Sequence, residues 1–335
     1  MNSSIIRFVL GYVLKVEAVL MLLPCIVAVL YQERTGFAYL LVAAIAMTLG
    51  TLMTIRRPKN HVFYLKEGCV ATALSWIFLS FFGALPFWIS GEIPSLIDAL
   101  FETVSGFTTT GSSILSDVEA LSHCALFWRS FTHWIGGMGV LVFVLMVIPM
   151  ENDNSMHLVR AEVPGPTAGK LVPRMRTTSM ILYGIYAVMT LILVVILKCL
   201  GMKVFDAFCI GFGTAGTGGF ALNSAGIAGY GSPAIEIVLG IFMILFGINF
   251  NTYFLLLLRK FKEALTSEET AVYFGVIGVS VVAISINILS CFSNTGEAVR
   301  SAFFQVASII TTTGFATVDF NLWPEFSKHT LVLLM

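Results

Sequence analysis

Long apolar runs separated by short, charged connections dominate the 335-residue chain. Six of them reach the roughly 20 residues that a helix needs to cross a hydrocarbon core of about 30 Å. They are Ile5–Tyr31, Phe37–Ile55, Gly68–Ser90, Ala125–Pro149, Thr178–Leu200 and Ala234–Leu258. A seventh, Ala271–Phe292, is followed by Phe326–Met335, which reads as the opening turns of an eighth. None of these runs alternates with the period of two of a strand, and all are much longer than a barrel strand. The pattern predicts an all-α polytopic membrane protein.

Three connections do not read as surface loops. Gly91–Cys124, Gly201–Pro233 and Ser293–His329 each open with an apolar stretch too short to cross, namely Leu96–Val104, Val204–Phe212 and Ala298–Ile310. Each then enters a Gly/Thr cluster. A short apolar helix followed by irregular backbone predicts a re-entrant hairpin, and non-helical backbone at membrane depth is tolerated only where it lines a water-filled cavity or is buried in protein. The expected architecture is two N-terminal spans followed by span–re-entrant pore hairpin–span repeats around a central ion pathway.

Composition agrees and excludes other classes. The chain is 57% apolar and 11% charged, where an average soluble domain is about 25% charged. That excludes an ordinary soluble enzyme and a disordered chain. The 19 basic and 19 acidic residues cancel, so no charge field is present to attract nucleic acid. The connections differ in charge. Arg56–Glu67, Met150–Arg176 and Arg259–Glu269 together hold eleven Lys and Arg, whereas the opposite connections hold only Arg34, Lys203, Arg300 and Lys328. By the positive-inside rule the first set is cytoplasmic, and so is the N-terminus. The first run has no small-residue cleavage site before Glu33 and Arg34 and is expected to be a retained anchor. The six cysteines show neither a C-x-x-C spacing nor a histidine at zinc spacing and read as small packing residues.

The three unusual connections align on Gly111, Gly219 and Gly314. Ala99, Ala207 and Ala302 lie twelve residues before these glycines, and the tips read Thr108–Ser112, Gly216–Phe220 and Thr311–Phe315. This is an internal repeat with a period near one hundred residues. A dehydrated monovalent cation needs rings of oxygen dipoles that are each too weak to trap it, and backbone carbonyls and threonine hydroxyls are such ligands. Glycine permits the unusual backbone that aims successive carbonyls at one axis. Glu92, Asp98, Glu102, Asp117 and Glu119, with no Lys or Arg between Gly91 and Cys124, suggest an acidic rim that concentrates cations. Gly211–Gly216 matches a dinucleotide fingerprint only formally, since no βαβ unit surrounds it. Gly136, Gly137 and Gly139 read as close helix packing. Arg129 and other charges at span ends are expected to snorkel, and Lys15 with Glu17 to form an internal pair. No H-E-x-x-H, G-x-S-x-G or paired intramembrane aspartate supports an enzyme.

The run His133-Trp134-Ile135-Gly136-Gly137-Met138-Gly139-Val140, ending in Ile148-Pro149, resembles the second span of the first repeat in TrkH-type potassium uptake subunits of the Trk/Ktr/HKT superfamily. So do Arg160–Pro166, Gly247-Ile248-Asn249-Phe250 and Thr311–Thr317. The resemblance covers essentially the whole chain. It implies potassium uptake with no cofactor and no catalysis, potassium being the transported ligand. The ion would be coordinated by the backbone of Thr109, Thr110 and Gly111; of Thr217, Gly218 and Gly219; and of Thr312, Thr313 and Gly314. Gly216 and Gly218 replace threonines of the other repeats, so hydroxyl contacts are not expected there. The implied division is an N-terminal two-span unit (1–67), repeat one with its cytoplasmic loop (68–176), repeat two (177–269) and an incomplete repeat three (270–335). The resemblance implies four such repeats, so the chain is expected to be truncated and to lack the fourth; the alternative function is then a non-conducting or regulatory membrane fragment. The resemblance further implies a homodimer in a bacterial-type inner membrane, with a TrkA-type nucleotide-binding regulatory subunit at its cytoplasmic face.

Overall fold

The computed structural model describes residues 3–58, 65–139, 175–260 and 268–335. The described residues form helices joined by turns and irregular segments, with no strand among them. Lys59, His61, the stretch from Val140 to Arg174 (including Ile148, Pro149, Arg160–Pro166 and Lys170) and Lys262 lie outside them. The chain divides into two compact units. One comprises Met1–Thr108, Ser112–Ser116 and Ala120–Gly184; the other comprises Thr109–Gly111, Asp117–Glu119 and Ile185–Met335.

In the first unit the leading apolar run forms α1 (Ser3–Leu20) and α2 (Leu22–Leu30). Pro24 supplies no N–H at the junction, which accounts for the break at Met21. The run continues into α3 (Gly36–Thr54) and α4 (Leu65–Ser90). Helices α1 and α3 meet at glycines, since a β-carbon on Gly11 would stand 2.9 Å from the Gly50 carbonyl oxygen. Small residues allow this backbone approach, which favours helix association where lipid gives no hydrophobic drive. The short α5 (Leu96–Phe107) packs between α4 and α6 (His123–Gly137). Its end is fixed by an edge-to-face cluster: Trp128 meets Phe107 at 6.2 Å and Tyr39 at 6.3 Å, and its indole N–H donates to the Gly83 carbonyl at 3.0 Å.

The fourth apolar run departs from the expectation of one unbroken span. Its first helix ends at Gly137, and Gly139 stands in the left-handed region at φ +77°. Gly136 and Gly137 therefore form the last turn of this helix, and Gly139 lies just beyond it. The left-handed conformation that glycine adopts freely is a common helix stop.

The second unit receives the chain through α7 (Met175–Cys199). Its short helix α8 (Val204–Ala215) packs on α9 (Pro233–Gly247). The run expected to be a single sixth span is α9 plus α10 (Phe250–Leu257), bent by 85°. Ile248 is extended at φ −72° and ψ 141°, and Asn249 caps α10 by accepting from the Asn251 N–H at 3.0 Å. An asparagine cap inside an apolar run starts a new helix and ends the old one. Helix α11 (Glu268–Ile288) follows, then the short α12 (Thr295–Ile310), which packs on α9 and α11. Finally α13 (Glu325–Leu334) is tied to α11 by a 2.7 Å bond between Ser327 and Asn287. Ser3–Leu30, Gly36–Thr54, Lys66–Ser90, Ser179–Cys199 and Glu268–Cys291 are long and apolar enough to cross a membrane, as is the bent pair taken together.

Candidate functional site

Each short helix delivers the chain to its Gly/Thr tip in the same register. The C-caps are Thr108, Gly216 and Thr311, each three residues before the aligned glycine. The next residues, Thr109, Thr217 and Thr312, all have positive φ (54°, 51° and 56°). One residue of negative φ follows in each repeat, and then Gly111, Gly219 and Gly314 return to 75°, 77° and 80°. A β-branched residue at positive φ is a genuine outlier, costing on the order of 1–3 kcal/mol. Its recurrence at one position in three hairpins marks a shared backbone trace that the surroundings enforce.

Hydrogen bonding shows which way the tips face. The N–H groups of Gly218 and Gly219 donate back to the Gly213 carbonyl of α8, at 2.9 and 3.5 Å. Those of Thr313 and Gly314 donate to the Ser308 carbonyl of α12, at 2.9 and 3.3 Å. The peptides are trans, so a peptide whose N–H points at its helix aims its C=O the opposite way. The carbonyls of Thr217, Gly218, Thr312 and Thr313 therefore face away from the helices that support them.

The tips of all three hairpins belong to one compact unit, and the structure brings the nine expected residues together. A β-carbon on Gly111 would collide with the Gly218 carbonyl oxygen, and one on Gly219 with the Thr313 carbonyl oxygen. A β-carbon on Gly314 meets nothing within 4 Å. Tip one thus abuts tip two and tip two abuts tip three, glycine to carbonyl each time. The hydroxyls are engaged locally: Thr311 bonds the Ala307 carbonyl and the Thr313 hydroxyl, both at 2.7 Å. No fixed charge lies among the nine residues. Neutral carbonyl dipoles, each following a helix C-terminus whose partial charge is negative, suit a cation without binding it tightly.

Charged residues behind the first tip depart from expectation. Glu102 is not part of a rim and Arg129 does not snorkel; both are buried and form an ion pair. The Glu102 carboxylate also accepts from the Ser113 hydroxyl at 3.0 Å and the Ile114 N–H at 3.0 Å. Glu102 lies nine residues before Gly111, on the inward face of α5, where an ionised group must be paired. Glu92 and Glu119 instead hold loops, accepting from the N–H groups of Ser122 and Ser224 at 2.9 and 3.3 Å. Lys15 sits over the Tyr12 ring at 5.2 Å, and Glu17, buried, has no partner among the described residues. Two serines escaped the reading of the sequence altogether. Ser105 and Ser308 donate to the carbonyls of Ser112 and Phe315, each at 2.6 Å. Extending the repeat alignment six residues before each glycine would have found both.

Several membrane-length apolar helices among the described residues, with three half-helix hairpins in one register whose carbonyl-bearing tips meet, define the class as a membrane transport protein. The TrkH family model, described as a cation transport protein, matches residues 35–278. The chain is 32% identical over 344 residues to the Trk system potassium uptake protein TrkG of Escherichia coli K12, covering 100% of this chain and 70% of that protein. It is 33% identical over 333 residues to TrkH of the same organism, covering 97% and 69%. The crystal structure of the potassium transporter TrkH from Vibrio parahaemolyticus superimposes with a TM-score of 0.88 at 28% identity, covering 100% of this chain and 70% of that one. The chain belongs to the TrkH family; it is a multi-pass membrane transporter and not an enzyme.

Proposed function

We propose that the chain takes up potassium across a bacterial-type inner membrane through a filter built from Thr109, Thr110 and Gly111, Thr217, Gly218 and Gly219, and Thr312, Thr313 and Gly314. The observation that carries this reading is the contact of each tip with the next, glycine against carbonyl, with peptide N–H groups turned back to the helices. Such a wall presents several weak oxygen ligands in succession, so an ion can enter, exchange partners and leave. The relatives TrkG and TrkH, named for potassium uptake, supply the identity of the ion. The repeats run over 68–176, 177–269 and 270–335 behind a two-span unit at 1–67. The N-terminus is cytoplasmic, as the basic connections require. The chain works as a homodimer with a TrkA-type regulatory subunit that supplies nucleotide control, and needs no cofactor of its own.

Rubidium-86 uptake into vesicles carrying the protein tests this reading. Unlabelled potassium should compete with rubidium at least tenfold better than sodium does. Equal competition by the two ions would sink the assignment of the tips as a selective filter.

A further inference from the structure

Hairpins one and three share a bond that hairpin two cannot make. Six residues before the aligned glycine, Ser105 on α5 and Ser308 on α12 each donate a hydroxyl to the carbonyl one residue after that glycine, Ser112 and Phe315. Both bonds are 2.6 Å and both span seven residues. In effect the hydroxyl ties the start of the returning strand to the last turns of the half-helix. The tip between them, with its strained threonine and its left-handed glycine, is held from both sides. In hairpin two the same place is Gly213, which has no side chain.

The backbone there nevertheless keeps the geometry the bond needs. A serine β-carbon stands about 3.4 Å from an acceptor bonded over 2.6 Å, given a C–O bond of about 1.4 Å and a roughly tetrahedral angle. A β-carbon built on Gly213 lies 3.4 Å from the Phe220 carbonyl oxygen, the residue one after Gly219. Its other close neighbour is the ring end of Phe315, at 3.3 Å. Gly213 is helical, so no unfavourable φ opposes a side chain. The position is built to accept the serine and lacks only the hydroxyl.

We propose that Ser105 and Ser308 are positioning residues of the filter, and that Gly213 makes hairpin two the most compliant part of its wall. The inference rests on the filter reading given above. The hydroxyl ties set how far the carbonyls of a tip yield when a smaller cation draws them inward. Rigid tips discriminate by refusing to close around sodium; the tip of hairpin two, with glycine also at 216 and 218, yields more readily. Discrimination is then limited by hairpin two, and adding its missing tie tightens the whole ring.

The experiment measures melting of the purified full chain against potassium and against sodium, together with competition for rubidium-86 uptake. Ser105→Ala and Ser308→Ala should each lower potassium-over-sodium discrimination about three- to tenfold, the range that loss of one hydrogen bond spans. Melting without added cation should fall by no more than the few degrees that one lost hydrogen bond costs, while Ser301→Ala, at a buried serine on α12 that bonds no tip, should leave discrimination unchanged. Ser308→Thr keeps the hydroxyl and should retain discrimination. Gly213→Ser should raise it. Discrimination within twofold of the parent in both alanine variants overturns the inference, and so does a loss in Gly213→Ser as large as that of a tip glycine. Gly219→Ala separates the two levels of argument. If it abolishes discrimination while the serine variants do nothing, the tie fails and the filter stands; if it too does nothing, the filter itself fails.

Discussion

Replacing each tip glycine by alanine should cost unequal amounts, in an order set by two separable constraints. The first is conformational. Gly111, Gly219 and Gly314 all have φ between 75° and 80°, and an alanine held there costs about 1–2 kcal/mol. The second is spatial. At Gly111 and Gly219 the new methyl lands on a carbonyl oxygen of the neighbouring tip, whereas at Gly314 it meets nothing within 4 Å. Relieving that overlap requires the carbonyl to retreat by on the order of an ångström, to the separation of ordinary van der Waals contact. Overpacking of this kind adds about 1–3 kcal/mol. Gly111→Ala and Gly219→Ala should therefore lose about 2–5 kcal/mol, against about 1–2 kcal/mol for Gly314→Ala. The displaced carbonyls, Gly218 and Thr313, are the proposed ion ligands, and each 1.4 kcal/mol of differential binding is about tenfold in selectivity. Melting of the detergent-solubilised protein over a potassium series gives ion affinity through its stabilising effect, and a sodium series gives the ratio. The first two variants should lose most of the potassium preference and Gly314→Ala should lose less. Equal losses at all three positions would show that φ alone matters and that neighbouring tips do not touch in the working protein.

Other outcomes test the surroundings of the site. Glu102→Gln should lower stability by about 3–5 kcal/mol in denaturant melts, because it removes the carboxylate charge that faces the buried Arg129 guanidinium, and Glu102→Gln with Arg129→Met should recover part of that loss. Gly83→Ala places a methyl 2.9 Å from both Phe107 and Thr103; it should destabilise by about 1–3 kcal/mol while leaving potassium-over-sodium discrimination within twofold. Cysteines introduced at Asp117 and Ser224 should react with an impermeant external reagent, and those at Lys170 and Lys262 should not; the reverse pattern would invert the topology.

Much of this fold was legible because membrane spans are written in runs of one residue class. Five apolar runs became membrane-length spans at nearly their expected bounds, the first of them broken at Met21, and the three short stretches became α5, α8 and α12. Two further breaks, at Gly139 and at Ile248, share a common cause. Hydropathy responds to the mean of a window, whereas a helix is ended by single residues. Gly139 at positive φ and the Gly247-Ile248-Asn249 step stop their helices without changing the local hydropathy. Both lie in segments that carry the family resemblance. Attention to the Asn249 side chain as a helix start would have placed the bend.

Charge was harder to read than hydropathy, because a charge's role depends on a partner distant in sequence. Glu102 and Arg129 are 27 residues apart, and nothing in either's neighbourhood names the other. Counting acids between Gly91 and Cys124 treated Glu102 as equivalent to Asp117, although one is buried against a guanidinium and the other caps an exposed turn. The tips were legible for the opposite reason. Their chemistry is backbone chemistry, fixed by where glycine and threonine fall, and those positions repeat. The same argument explains why Ser105 and Ser308 escaped. The alignment was carried by the residues that differ most from a helix, while the ties sit within helices, where a serine reads as ordinary. A repeat constrains every position that contacts its special residues. The useful alignment therefore extends outward from the glycine until the three copies cease to share a contact, and at Gly213 the broken match is itself informative: two copies make the bond, and the third keeps its geometry without the atom.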